Sequence, residues 1–283
     1  MSGFGVSAVQ FGAVPGDPGA NRQRIAQAIR AEAAAGAKLI VLPELAVGGY
    51  HLDAARLRAA AEPAEGPTAT LLRGLAAEQG VTLVCGFCEA DGDRLFNSAM
   101  LVTPSGALAL YRKLHLFDGE KEIFTPGDKG LVVAETPVGQ IGLCVCYDLR
   151  FVEMARGLAL LGADLLAVPT AWVGGFDKAP RDEGGFIGQA RGAVVQANLN
   201  QLPMVCASQS GQRDDMRFLG ASLVVDAWGA CLAGPMEEDA EGAARAVLDL
   251  ERIRAARRRS ERVRPREDRR TDVYGLSVNG RSY

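Results

Sequence analysis

Apolar residues along this chain fall into short uninterrupted runs that alternate with stretches where they recur every three or four positions, and this alternation predicts strands and helices in turn. Residues 6–11 read as a strand. Asn21 is placed to cap a helix that carries Ile25, Ala28 and Ile29 on one face and runs to about Ala35, ahead of a second strand at 39–42. A helix over 68–79 and a strand at 81–87 follow. Then comes a strand pair, 97–102 and 108–113, joined by the turn chemistry of Thr103-Pro-Ser-Gly106. The run 141–145 reads as a buried strand that stops at a cysteine. Phe151, Met154, Ala155, Leu158 and Leu161 then repeat at helical spacing, which sets Cys146 on a sharp strand-to-helix turn. Beyond it the pattern predicts a strand at 164–168, a helix at 187–198 and strands near 204–208, 221–225 and 246–250. No internal repeat is visible. Continuous apolar strands suit a sheet covered on both faces and turn-linked pairs suit antiparallel pairing, so the expected architecture is a mixed sheet, or two packed sheets, between helices.

Composition narrows the picture without naming a chemistry. At 283 residues, 48% hydrophobic and 23% charged, the chain can fold as one domain over 1–283, with a C-terminal extension from about residue 251. A net charge of −3 gives no global pull toward nucleic acid or an anionic membrane. Residues 252–270 hold ten arginines against three acids, yet no aromatic interleaving or recognition motif accompanies them, so a solvated helix and tail or an oligomer contact is the expected use. The N-terminus lacks the basic start and long apolar core of a signal peptide, and no run of 18 apolar residues occurs. The six cysteines lie mostly in apolar strand-like runs and read as reduced and buried, which fits a cytoplasmic protein. Cys85 and Cys88 form a Cys-x-x-Cys pair with no second pair or histidines at ligand spacing, so no metal is expected.

Three ionisable residues each close an apolar strand: Glu44 after Leu39-Ile-Val-Leu-Pro43, Lys113 after Leu108-Ala-Leu-Tyr-Arg, and Cys146 after Ile141-Gly-Leu-Cys-Val. A fourth segment, Leu165 to Val168 running into Pro169-Thr-Ala-Trp172, ends at the same edge. Ligands meet the carboxyl ends of strands in sheets built this way, so these positions are placed to converge. A cysteine on such a turn projects from a strand end, and backbone N–H groups at the following helix start can donate to an oxyanion.

Leu42-Pro-Glu-Leu45, Tyr111-Arg-Lys-Leu-His115 with Phe124-Thr-Pro-Gly-Asp128, and Cys146-Tyr-Asp-Leu-Arg-Phe151 together resemble the three signature blocks of the nitrilase superfamily of carbon–nitrogen hydrolases. The likeness runs over about residues 4–250. It implies an α/β fold, a four-layer αββα sandwich with mixed sheets, and a triad at Glu44, Lys113 and Cys146. It further implies a second glutamate at Glu120, with Glu122 as the near alternative, that orients substrate and catalytic groups. The chemistry is coherent, because a thiol of pKa about 8.5 needs a base and a cation beside it to become a nucleophile near neutral pH. Glu44 would act as the base, and Lys113 with the backbone N–H of Tyr147 would hold the oxyanion. A His115-based cysteine–histidine pair is the competing arrangement; His115 is expected instead to hydrogen-bond around the site, Asp148 to brace the turn, and His51 to be an ordinary loop residue.

Pocket walls are expected from Tyr50, Phe117, Thr170, Trp172 and Val173, and Arg150 sits where N-carbamoyl-amino-acid hydrolases carry an arginine that grips a carboxylate; Glu153 is its alternative, structural partner. The resemblance implies hydrolysis of a small amide or N-carbamoyl compound through a cysteine thioester, with nitrile hydrolysis, acyl transfer to an amine and a non-catalytic assembly role as alternatives. It implies no cofactor, a small-molecule amide as partner, no nucleic acid or membrane, and a homodimer or higher homo-oligomer. The stretch 175–185 is glycine-rich, and the helix after it carries Gly192 and Gln196 where relatives tend to have alanine and an acid. Substrate identity therefore does not follow from the motifs.

Overall fold

The computed structural model describes residues 3–175 and 177–283; Met1 and Ser2, the start of the stretch weighed above as a leader, and Phe176, within the glycine-rich stretch, lie outside it. Among the described residues sixteen strands build two six-stranded sheets and two short hairpins, the second being β15 (Ser277–Val278) and β16 (Arg281–Ser282) near the C-terminus. The first sheet uses β1 (Phe4–Gln10), β2 (Ala37–Val41), β3 (Thr82–Asp91), β4 (Arg94–Val102), β5 (Leu108–Arg112) and a late strand, Gly242–Leu248, which is β14. The second uses β6 (Val132–Thr136), β7 (Gly139–Leu143), β8 (Leu165–Thr170), β9 (Met204–Ser208), β12 (Leu223–Val225) and β13 (Cys231–Ala233). Between β9 and β12 the hairpin β10 (Ser210–Arg213) and β11 (Met216–Leu219) stands apart.

Strand order is β14-β1-β2-β3-β4-β5 in one sheet and β6-β7-β8-β9-β12-β13 in the other. Read in those directions both sheets pair antiparallel, parallel, parallel, antiparallel, antiparallel. The chain thus repeats an architecture that its sequence does not display.

Alternation along the strands decides what each face covers. Leu39 and Val41 join Val6, Ala8, Val84 and Tyr111 in a core shared with Ile141, Leu143, Leu166 and Val205 of the second sheet. Ile40 and Leu42 point the other way, against Ile25 and Ile29 of α1 (Pro18–Ala34) and Leu72 and Leu75 of α3 (Pro67–Gln79). On the far side Met154 and Leu158 of α4 (Val152–Leu160) and Ala190 and Ala193 of α5 (Gly188–Asn200) cover the second sheet. Helix, sheet, sheet, helix is the expected αββα sandwich. Among the described residues no helix is long and apolar enough to cross a membrane.

Several boundaries shift for identifiable reasons. Asp17, not Asn21, caps α1: its carboxylate accepts from Ala20 N at 2.9 Å, and Pro18 opens the helix. Asn21 is buried and ties the carbonyls of Val14 and Val47 instead, at 2.8 and 2.9 Å. β4 starts at Arg94 rather than Asn97, because a tight turn at Gly92-Asp93 lets Asp91 pair with Arg94. The strand expected at 246–250 is the end of β14, and Asp249 caps a new helix, α6 (Leu250–Ala255). The short α2 (Ala54–Ala60), the edge strand β6 and the β10–β11 hairpin carried no apolar pattern strong enough to announce them. The arginine-rich stretch lies along the body of the protein: Arg266 donates to Ala159, Asn200 and Gln201 carbonyls at the ends of α4 and α5, and Arg254 and Arg257 pair with buried Asp164.

Candidate active site

Glu44 sits on the turn that ends β2, and backbone packing fixes it there. Its N–H donates to Thr170 O at 3.2 Å, its carbonyl accepts from Gln209 Nε2 at 2.9 Å, and Gly86 N donates to Pro43 O at 3.1 Å. A Cβ on Gly86 would lie 2.6 Å from Glu44 Cα, so only glycine lets β3 pass this close behind the turn. The following residue, Leu45, holds φ +48°, which aims the carboxylate inward.

Lys113 follows β5, and the Phe124-Thr-Pro-Gly-Asp128 block fastens it. Gly127 N donates to Lys113 O at 2.9 Å, and a Cβ on Gly127 would come 2.0 Å from Arg112 O. Asp128 pairs with the neighbouring Arg112 at 2.9 Å, and Arg112 also holds buried Glu89. Alternation then turns Lys113 inward, where its Nζ donates to Glu44 Oε1 at 2.6 Å and Glu120 Oε1 at 2.9 Å with both ends fully buried. Glu120 in addition accepts from Tyr50 Oη at 2.8 Å and Phe117 N at 2.9 Å. Glu122 is exposed and takes no part.

Asn97, which the sequence reading missed, completes this network from β4: its Nδ2 donates to Glu44 Oε1 at 2.8 Å and lies 3.4 Å from Glu120 Oε1. Its signal was a lone amide in an otherwise apolar strand. Glu44 Oε2 is buried and has no hydrogen-bond partner, so one carboxylate oxygen is anchored and the other is available. Burial raises the Glu44 carboxyl above the ordinary range; Lys113 opposes that shift and Glu120 reinforces it. Burial alone would lower the Lys113 ammonium, but the carboxylates of Glu120 and Glu44 outweigh it and hold the lysine charged.

Cys146 opens a turn of 3-10 helix, Cys146–Arg150, with φ +46°. Asp148 braces that turn. Its carboxylate accepts from Val145 N at 2.9 Å and Tyr111 Oη at 2.7 Å, and meets His115 Nδ1 at 2.8 Å. His115 also stacks on Phe151, ring centroids 3.6 Å apart. The histidine therefore links the Lys113 strand to the cysteine turn and belongs to their scaffold. His51 lies on a loop, as expected, but is buried, and burial lowers its imidazole below the usual value.

Burial also pushes the Cys146 thiol well above its usual value, with Glu44 and Glu120 adding to the shift while Lys113 and the Ala171 backbone N–H oppose it. The pull of Lys113 toward a thiolate, expected from the sequence, is opposed here by burial and by the two carboxylates.

Cys146 and Lys113 share a small cavity with Tyr50, Phe117, Tyr147, Leu149, Arg150, Ala171, Trp172, Val173, Gln189 and Gly192. It opens beside a wider bowl bounded by Leu52, Asp118, Asp215 and Arg217. Tyr50, Phe117, Arg150, Trp172 and Val173 are all on its wall. Thr170 is not: its hydroxyl donates to Ala207 O at 3.1 Å inside the second sheet, while its carbonyl receives the Glu44 N–H. The strand's alternation turns that side chain away from the cavity. Arg150 stands 3.8 Å from Asp177. Gln189, unremarked in the sequence, is a second addition to the wall.

Comparison with known proteins gives the geometry its context. The carbon-nitrogen hydrolase family matches residues 5–258. A protein named nitrilase from Pyrococcus abyssi is 35% identical over 85% of this chain and 88% of its own length, and an (R)-stereoselective amidase from Pseudomonas sp. is 33% identical over 89% and 88%. The N-carbamoylputrescine amidase of Solanum lycopersicum is 32% identical over 95% and 93%. Among solved structures, an amidase from Nesterenkonia sp. superposes with a TM-score of 0.77 at 27% identity, covering 96% of this chain and 95% of that one. A mutant of that enzyme carries the product of acrylamide addition at its active-site cysteine. This chain belongs to the carbon–nitrogen hydrolase family, within the nitrilase superfamily.

Proposed function

We propose that the protein hydrolyses the C–N bond of a small amide or N-carbamoyl compound through a thioester on Cys146. The observation that carries this reading is the unpartnered, buried Glu44 Oε2 beside a neutral thiol, with Glu44 Oε1 pinned by Lys113 and Asn97. A carboxyl raised by burial is a better base than one in water, and a protonated thiol needs that base only at the moment of attack.

As Cys146 Sγ bonds to the amide carbon, Glu44 takes the thiol proton and the carbonyl electrons pass to oxygen. Lys113 and the backbone N–H of Tyr147 hold the resulting oxyanion; loss of one such donor typically raises the barrier by about 3 kcal/mol. Glu44 then protonates the departing nitrogen as the C–N bond breaks, releasing ammonia or an amine. Water, losing a proton to Glu44, attacks the thioester; the C–S bond breaks, the sulfur recovers the proton and the acid leaves. Glu120, held by Tyr50, Lys113 and Phe117 N, keeps Lys113 charged throughout. All these groups come from the chain itself.

The relatives named amidases support amides as the substrate class, and the relative named nitrilase supports nitriles as the second reading, with the same triad. The test is ammonia release from matched amides and nitriles, butyramide and butyronitrile among them, by the protein and by Cys146→Ala. Turnover lost in the variant with its melting curve retained is the expected result; full turnover in the variant refutes the thioester route.

A further inference from the structure

We infer that Gln189 determines substrate choice: its side-chain oxygen accepts a hydrogen bond from an O–H or N–H group that the substrate carries in addition to the scissile amide. This rests on the hydrolase reading above. Gln189 lies in the first turn of α5, is 7% exposed and lines the same cavity as Cys146 and Lys113. Its Nε2 is 3.4 Å from Val173 O, itself on the cavity wall, and this fixes which end of the amide is which, since the exchanged orientation would set oxygen against oxygen. Oε1 is left buried with no partner.

A buried acceptor without a donor is unfavourable, and an apolar residue of the same length would avoid that cost. Among the described residues no group on the wall donates to it: Leu149, Ala171 and Val173 are apolar, Lys113 is committed to Glu44 and Glu120, Tyr50 to Glu120, and Arg150 faces Asp177. Gly192, one turn further along α5, adds no bulk to the same wall, and a Cβ there would meet nothing within 4 Å. The cavity is narrow, with about 30 Å³ of free space, which limits the occupant to a compact molecule. Together these favour short aliphatic amides bearing a hydroxyl or amino group over their plain hydrocarbon counterparts.

Two isosteric pairs test this: butyramide against 3-hydroxypropanamide, which place the donor in the acyl part, and N-propylacetamide against N-(2-hydroxyethyl)acetamide, which place it in the leaving amine. Wild-type kcat/KM should favour the hydroxyl member of at least one pair by about tenfold or more. Gln189→Leu should abolish that preference by slowing the hydroxyl member while leaving its methyl counterpart within about threefold, and Gln189→Glu, which keeps an acceptor, should restore part of it. Unchanged ratios for both pairs in Gln189→Leu overturn the inference while leaving the hydrolase reading intact. Wild-type protein that turns over none of the four and shows no acyl adduct on Cys146 overturns both.

Discussion

The two sheets share a pairing pattern and a core, yet they furnish the cavity with opposite kinds of chemistry. The first supplies charge: Glu44 behind β2, Asn97 on β4 and Lys113 behind β5, joined through Glu120 into a buried, hydrogen-bonded cluster. The second supplies the thiol on a strained turn and the apolar surface of Leu149, Ala171 and Trp172. Polar contacts that join them include Glu44 N to Thr170 O, Gln209 to Glu44 O and Ala13 N, Ser222 N to Gln10, and the Asp148 bonds to Tyr111 and His115. The lesson is that polarity and nucleophilicity are assembled on separate scaffolds and meet only when the sheets pack.

That separation is tested most severely by paired variants. Cys146→Ala empties the second sheet's contribution and Glu44→Gln neutralises the first sheet's base; each should lower kcat by on the order of 10⁴-fold, and the double variant should lose little more than either alone, because the two act in one step. Additive losses in the double variant would break the comparison. Lys113→Met should abolish turnover and also destabilise the fold by about 3–5 kcal/mol in urea denaturation, since Glu44 and Glu120 would be left buried against each other without a cation. Asn97→Leu should slow turnover about tenfold by releasing Glu44 Oε1 from one donor, with a smaller stability change than Lys113→Met.

A pH profile sharpens the same contrast. Because burial raises the Glu44 carboxyl, the base is lost as pH falls through that raised value, so the acid limb of kcat/KM should lie above the pH of about 4.3 at which an ordinary glutamate titrates. Because the Cys146 thiol is likewise raised, iodoacetamide labelling of Cys146 should keep climbing above pH 8 without a plateau near neutrality. A plateau there would mean that Lys113 dominates after all. The smallest expected effect is at Arg266: Arg266→Met removes donors to the ends of α4 and α5 and should lower stability with turnover unchanged.

Apolar continuity made the central strands legible, and the residue closing each of them was legible for the same reason: an ionisable group at the end of a strand run stands out against it. Glu44, Lys113, Glu120 and Cys146 converge as their motifs implied. What stayed hidden depends on contacts distant in the chain. Asn97 and Gln189 look like ordinary amides until β4 is set beside Glu44 and α5 beside Val173. Thr170 read as a pocket residue because strand ends point at ligands, but alternation within β8 sends its hydroxyl to Ala207. The raised thiol was invisible because the sequence reveals which charges are near and gives no measure of how dry the site is. The shared pairing pattern of the sheets leaves no mark in residue identity at all.

The most direct test of the account is the mass of the protein quenched during turnover of butyramide, followed by peptide mapping. The account predicts a butyryl group on the peptide holding Cys146, absent from Cys146→Ala and chased away by further incubation in water. Steady hydrolysis with no acyl group on that cysteine at any time would contradict it.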